Sequence, residues 1–544
     1  MIDARKTIYE NFREIAIQRG SHDAVYYEGT TLSFLDLLKL ANQFAAYYYK
    51  LGLKEDDIIT IVAPNTPESV AAFLGASQAG IKVHLLHPLT SQENILKEIK
   101  NKHSKLLVTV SLFIRFYDKL LNQKIPMLVL DFTSSLSLLQ KIGFYFIHHK
   151  KLAAYHKHKE LPRFRNVCKT RADKEVHYPS DKGRILLSSG GTTGESKTIV
   201  LSDFAFCSII QTGPWILNTK EEDVSKQTML AALPMFHGFG LTMGVMTLLL
   251  FGGRIALLPS FRTKKVIRLL RHNHLTLLIG VPALYEALLK NKHFSGKLIQ
   301  PIRECFVGGD FISPSLVERF NNRLKEAGSK GKMLEGYGLT ETVTVLSVNR
   351  LCDNKKGSIG KPLPGIEVKI LKENGEECEP NEKGEIIVAG PTLMNGYFNQ
   401  DDPFFHFEGK KWVKTGDIGY KDEDGFLFFV SRKKRMIKKK GLNIYPLAIE
   451  KFISSLPYIE ECAYLGDTYQ NRDYTALFVH LKEKTDISSV EEDIRKSLKH
   501  EFNAYEIPDF IFSKESFAHT NVGKIDYISL AKDFRQSLIE ESQK

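Results

Sequence analysis

At 544 residues the chain is too long for one hydrophobic core, so two or more domains are expected. Its 43% apolar and 25% charged content excludes a disordered or fibrous chain, and a net charge of +12 suits polyanionic ligands or an anionic lipid surface. Neither zinc-finger spacing nor a basic region running into heptads is present, so a nucleic-acid partner is not expected.

The start, Met1 to Lys6, carries no apolar core of a secretory signal. The six cysteines form no CxxC pair and read as free thiols of a reducing compartment. A cytoplasmic protein is expected, with peripheral contact at the inner membrane face as an added prospect.

In chain order, helical periodicity over Asp36–Leu51 precedes a buried-strand run at Ile58–Ala63. A helix over Glu68–Ala79 and a strand over Lys82–Leu86 follow. Strands alternating with helices at this interval predict parallel βαβ units. Residues 134–159 place aromatic side chains beside a run of histidines and lysines; they read either as a helix with a solvated face or as an element lying on anionic lipid.

The uncharged run Gln227–Gly253 is long enough to span a bilayer, but Pro234, His237 and several glycines break it into strand, loop and helix. The βαβ theme returns at Ile255–Leu258, Val266–His272, Leu275–Ile279 and Ala283–Lys290. After Gly357 short strands take over (Glu367–Leu371, Glu385–Ala389, Phe426–Val430), which predicts a β-rich subdomain. The last hundred or so residues mix helices and strands.

The strongest local signal is Leu186-Leu-Ser-Ser-Gly-Gly-Thr-Thr-Gly-Glu-Ser-Lys197, followed by the strand-like Thr198–Leu201. Within it Ser189, Gly190, Gly191, Thr192, Thr193, Gly194 and Lys197 supply backbone N–H groups, hydroxyls and an ammonium suited to phosphate. A Walker A loop is the generic rival, yet Ser196 rather than glycine precedes the lysine. A Gly/Thr surface turn is the bland alternative.

The loop resembles that of the adenylate-forming superfamily, which includes acyl-CoA synthetases, peptide-synthetase adenylation domains and luciferases. It departs at Ser196, where the family has proline, and at Thr198, where it has glycine. Five further segments resemble the family's motifs in its order. Leu233-Pro-Met-Phe-His237-Gly-Phe-Gly240 resembles the segment lining and gating the acyl pocket. Val307-Gly308-Gly309-Asp310 resembles the glycine pair beside adenine and acyl group.

In Glu335-Gly336-Tyr337-Gly338-Leu-Thr340-Glu341 the resemblance gives Tyr337 the adenine ring, Thr340 the α-phosphate and Glu341 the Mg²⁺. Thr415-Gly416-Asp417 resembles the ribose-binding motif, with Arg432 joining Asp417; Lys434 falls at the family's hinge and Gly441 on its thiol-facing loop. Ser431 and Ala448 are departures that remove no catalytic group. Seven of the nine residues from Arg432 to Lys440 are basic, which reads as a solvated strand and hairpin face or as a contact for coenzyme A phosphates. Near the end, Gly523-Lys524-Ile-Asp526 resembles the closing motif, whose lysine acts in adenylation.

The resemblance runs from about Thr31 to Ile528 and is weakest between Leu112 and Ser180. It implies an α/β fold: a large N-terminal adenylation domain of βαβ sheets over residues 1–431, with its β-rich subdomain at about 357–431. A small mobile α+β C-terminal domain would take residues 435–544, with a hinge near 432–434. The implied activity is that of an ATP- and Mg²⁺-dependent acid–thiol ligase, with Lys524, Thr340, Glu341 and His237 as catalytic groups. No carboxylate stands near Phe236 to bind an α-ammonium, and Leu241–Phe251 is apolar, so a medium- or long-chain fatty acid is expected, with coenzyme A as acceptor. A carrier-protein phosphopantetheine is the rival acceptor. A non-catalytic adenylate-binding or membrane-surface scaffold is the rival of a different class.

Overall fold

The computed structural model describes residues 2–131, 133, 135–170, 176–188, 197–310, 312–439, 442–470, 472–482, 487–518 and 525–542. They fall into two compact units. One comprises residues 2–188, 197–367 and 389–413; the other comprises residues 368–388 and 414–542.

Helix starts in the first unit follow side-chain capping chemistry. Ser33, Thr66 and Ser137 each accept the N–H three residues on, opening helices Phe34–Lys50, Pro67–Gln78 and Leu138–Lys157. Pro67 occupies the first turn, where its missing N–H costs nothing. Every residue of Pro67–Gln78 is buried, and its small residues let Phe34–Lys50 pack closely along it. A helix apolar on all sides belongs in an interior.

Among the described residues two large sheets form. In the seven-stranded sheet, Gly183–Ser188, Lys82–Leu85, Ile58–Val62, Leu106–Val110 and Met127–Leu130 run parallel. Thr198–Ser202 and then Gly396–Tyr397 close one side antiparallel. In the nine-stranded sheet six strands are parallel: Lys332–Tyr337, Glu304–Val307, Leu277–Gly280, Thr228–Ala231, Arg254–Leu257 and Asp23–Tyr27. The expected βαβ texture is therefore present, with element bounds shifted by one to three residues.

Buried polar groups tie the layers together. Asn65, after Ile58–Val62, donates to Ala231 O (3.3 Å), at the end of the strand Thr228–Ala231, and to Leu233 O (2.8 Å) just beyond it. Asp203 accepts from Ile8 N (2.9 Å) and Ser77 Oγ (3.1 Å), pinning the N-terminal helix. The uncharged run after Gln227 becomes the strand Thr228–Ala231, a loop, a π-helical turn Gly240–Met246 and the helix Thr247–Leu250. Among the described residues no helix is long and apolar enough to cross a membrane.

In the second unit, Leu427–Arg432 pairs antiparallel with the latter part of Lys410–Lys421, placing Asp417 opposite Arg432. Its C-terminal part is a three-stranded sheet, Ile459–Tyr469, Arg472–Leu481 and Phe510–Ser513. Helices Pro446–Ser454 and Ile487–Glu501 bury Ile449, Ile453 and Ile494 in one apolar cluster. The helix Tyr527–Ser542 buries Leu530 and Phe534 in another, with Phe478.

Candidate functional site

Ligands of open α/β sheets bind beyond the carboxyl ends of the parallel strands, where loops diverge. In the first unit the motif segments sit there. Leu233–Gly240 follows Thr228–Ala231, Gly308–Asp310 follows Glu304–Val307, and Tyr337 ends Lys332–Tyr337. Gly309 adopts φ +81°, a conformation glycine enters without strain, and it turns the chain so that Asp310 faces solvent.

Close backbone approaches hold these segments against one another. A Cβ on Gly238 would fall 2.3 Å from Thr344 Oγ1, so the His237 segment lies against the loop after Glu341. A Cβ on Gly308 would lie 2.8 Å from Gly336 O. Val343 and Thr344 take φ of 62° and 128°, conformations β-branched residues avoid, at a cost of about 1–3 kcal/mol each. Strain of this kind concentrates at functional loops.

Glu341, in the short 3₁₀ turn Thr340–Thr342, is fixed from two sides. Its carbonyl accepts Met394 N–H (2.8 Å), and its carboxylate Oε1 accepts the Tyr397 hydroxyl (3.2 Å). Lys197 Nζ stands 4.4 Å from the centroid of the Tyr397 ring. Burial first, and then the Glu341 charge, push the Tyr397 hydroxyl pKa up, so it remains a donor. Lys197, Tyr397 and Asp401 line an open recess of about 650 Å³.

Tyr397 was not legible as a site residue. Nothing in its local pattern marks it; it arrives because Gly396–Tyr397 pairs with Ile199–Val200, two hundred residues away in sequence. Tyr397→Phe deletes the donor while leaving the ring over Lys197. Under the role the resemblance gives Glu341, it is expected to lower kcat/KM for ATP about ten- to a hundredfold, the worth of one hydrogen bond to a charged group, and to raise the Mg²⁺ concentration needed. Steady-state pyrophosphate release across a Mg²⁺ titration measures both, and an unchanged profile removes Tyr397 from the site.

His237 is itself exposed, while Phe236 beside it is buried. Its ring lies 4.4 Å from Phe236, which lies 4.5 Å from His87. Loss of hydration, and secondly the nearby His87, lower its pKa from 6.5 to about 4, so the imidazole is neutral at physiological pH. The sign follows: between those values the unfolded chain binds a proton that the folded chain refuses, and stability falls as pH drops. His237→Gln is expected to lose less Tm than wild type between about pH 7 and about pH 5. An equal loss would show an imidazole that water solvates fully.

Other assigned positions lie in the second unit. Asp417 is fully buried, and its Oδ1 is 2.9 Å from Nε of Arg432, which is 58% exposed. Thr415 Oγ1 accepts the Asp417 N–H (3.0 Å) and donates to Ile386 O (2.7 Å), which fixes the turn. Lys434 is exposed. The basic run is not a solvated face throughout. Lys439 is 10% exposed and holds Asp509 (2.8 Å), Arg435 holds Glu450 (2.7 Å), and Lys433 and Lys438 face Glu385 and Glu373. Glu385, Glu373 and Asp509 lie 48, 65 and 70 residues from their lysines and Glu450 lies 15 from Arg435, so the spacing of the run alone did not reveal them. Ser189, Gly190, Gly191, Thr192, Thr193, Gly194, Gly441 and Lys524 lie outside the described residues.

The model of the family described as AMP-binding enzyme matches residues 12–398, well over half of the chain. The chain belongs to the AMP-binding enzyme family. Two curated relatives, both named long-chain-fatty-acid–CoA ligase, are 28% identical to it. The one from Bacillus subtilis (strain 168) matches 98% of this chain and 94% of its own length; the one from Escherichia coli O157:H7 matches 96% and 94%. Among solved structures, the anthranilate CoA ligase AuaEII in complex with anthranoyl-AMP superposes with a TM-score of 0.80, at 19% identity and 99% coverage of both chains. A benzoate CoA ligase from Burkholderia xenovorans LB400 gives 0.80 at 20% identity, covering 96% of this chain and 99% of its own. At such identities these structures speak to the fold. They match the α/β architecture of this AMP-binding enzyme: a large N-terminal region and a smaller, β-containing C-terminal one.

Proposed function

We propose that this protein, an AMP-forming acyl-CoA ligase, activates a medium- or long-chain fatty acid with ATP and passes the acyl group to coenzyme A. The activity reading is carried by the convergence of Lys197, Tyr397, Glu341 and the His237 and Gly308–Asp310 segments at the carboxyl ends of the parallel strands. The choice of acid is supported by the names of the curated relatives and by the buried apolar stretch Leu241–Leu250 behind His237.

In the first step a carboxylate oxygen bonds to the α-phosphorus of ATP as the bond to pyrophosphate breaks. Both reactants are anionic, so the residues must offset repulsion and charge build-up on the departing group. Lys197 and the Ser189–Gly194 loop take phosphate oxygens, Thr340 the α-phosphate, Tyr337 the adenine face, and Asp417 with Arg432 the ribose. Mg²⁺ fits Glu341. Among the described residues no cluster of three or more His, Cys, Asp or Glu side chains could hold a metal alone, and one oriented carboxylate is what Mg²⁺ needs when phosphates complete its shell. When bound, Mg²⁺ neutralises phosphate charge.

In the second step the thiolate of coenzyme A adds to the acyl carbonyl and AMP leaves. The neutral His237, beside Phe236, is assigned to gating the acyl group and keeping water from the mixed anhydride. Residues 435–544 are assigned to a small domain that pivots at 432–434, with Gly441 on the thiol side and Lys524 serving adenylation.

The test is pyrophosphate and AMP release from purified protein with ATP, Mg²⁺ and a panel of fatty, aromatic and amino acids, with coenzyme A or a holo-carrier protein as acceptor. Release with fatty acids, completed only by coenzyme A, is expected. Turnover confined to aromatic acids would overturn the substrate, turnover confined to carrier protein the acceptor, and no release with any acid the enzymatic reading.

A further inference from the structure

Six of the fourteen large apolar side chains exposed among the described residues crowd into Leu138–Ile147, at the start of the helix Leu138–Lys157. One side of this helix is accounted for. Leu152 and Tyr155 are buried in a core cluster with Ile114 and Tyr117, Phe144 packs against that cluster, and the Arg163 guanidinium lies 4.7 Å from the Tyr155 ring. Gln140 reaches the Glu28 carbonyl. Gln140, Phe144, Leu152 and Tyr155, at i, i+4, i+12 and i+15, therefore face the protein.

The opposite side presents a second stripe of different kind. Leu139, Ile142 and Phe146 continue along the same helical line into Lys150, Ala153 and Lys157. Leu139 is 82% and Phe146 75% exposed, with Leu138 and Ile147 equally bare beside them. The first half of the outer face is thus apolar and the second half cationic. No acidic residue interrupts Leu138–Lys157, and Lys141, Lys150, Lys151 and Lys157 give it a charge of four before any histidine is counted.

A contiguous apolar patch standing in water marks an interaction site. Here the patch is joined to cations alone, on a helix that is too polar along its length to enter a bilayer as a span. That combination of apolar insertion and uniform positive charge complements an anionic membrane surface: aromatic and aliphatic groups enter the headgroup boundary while lysines meet lipid phosphates. An acidic protein would match the charge and leave the large apolar groups without a reason. A second copy would bring cation against cation.

We propose that the outer face of Leu138–Lys157 docks this protein on anionic lipid, with the helix lying in the membrane surface. This goes beyond the acid–thiol ligase reading and stands or falls apart from it.

Sedimentation of the full-length protein with vesicles tests it, comparing phosphatidylcholine alone with phosphatidylcholine carrying about 30% phosphatidylglycerol. Wild type is expected to bind the anionic vesicles at least about tenfold more tightly, less so as salt rises. The exposed-site variants L139S/F146S and K150E/K157E are each expected to lose at least about tenfold in that binding, with circular dichroism and soluble pyrophosphate release unchanged. Failure of wild type to bind, or equal binding by wild type and both variants, overturns the proposal. So does patch-dependent self-association, or capture of an acidic carrier protein through the patch, without vesicle binding.

Discussion

Lys524→Ala is expected to slow acyl-AMP formation by about two to three orders of magnitude while leaving thioester formation from pre-made acyl-AMP close to wild type. The asymmetry follows from charge. In the first half-reaction a carboxylate approaches a triphosphate and negative charge grows on the departing pyrophosphate, so a desolvated ammonium is worth most there. In the second, the leaving group is a single phosphate monoester and the attacking group a thiolate, and Lys524 is given no part by the family resemblance. Pyrophosphate release with acid and ATP measures one half; acyl-CoA formation from synthetic acyl-AMP measures the other. Equal losses in both would sink the role given to Lys524, and a wild-type rate of adenylation would do so as surely.

Much of the fold was legible because local signals agree with the global one. Thr66, Pro67 and the apolar run after them specify a buried helix start, and the helix Pro67–Gln78 lies within one residue of the sequence reading. Leu275 shows the limit. It extends the apolar run of its strand in sequence, yet pairing with Met229 and Leu230 begins only at Leu277. Which part of a run is strand is decided by its neighbour, and periodicity does not carry that.

The site divides in the same way. Gly309, Tyr337, Thr340 and Glu341 stand in short motifs whose residue types suit their assigned chemistry. The resemblance joins Arg432 to Asp417, but spacing alone does not, since their facing geometry depends on the register of two antiparallel strands. Tyr397 depends on an edge strand added from far along the chain. Val343 and Thr344 run against expectation, since β-branched residues disfavour positive φ; only the surrounding contacts hold them there.

Those contacts make Gly338→Ala the most damaging single-carbon change expected here. Gly338 needs no left-handed backbone, so propensity alone allows alanine. Space does not. A Cβ at this position would fall 1.1 Å from the Thr344 carbonyl oxygen, 2.2 Å from its carbon and 2.9 Å from Val345 Cα, all backbone atoms that no rotamer change can clear. The loop would have to retreat by roughly 2 Å, and it is tethered: Leu346 N–H donates to Tyr337 O (2.8 Å) and Thr342 Oγ1 to Leu339 O (3.1 Å). Glu341 lies between these tethers, so its carboxylate would leave the Tyr397 hydroxyl. Overpacking of this kind costs about 3 kcal/mol, and displacing the proposed Mg²⁺ carboxylate should lower pyrophosphate release at least about a hundredfold. Gly336→Ala is the control, because its Cβ would meet Ser347 O and Val348 at an ordinary 3.5 Å. Denaturant unfolding of the two variants should separate them by most of that figure, with Gly336→Ala within about 1 kcal/mol of wild type. If both unfold alike, the close approach of Gly338 to Thr344 does not hold the Glu341 loop.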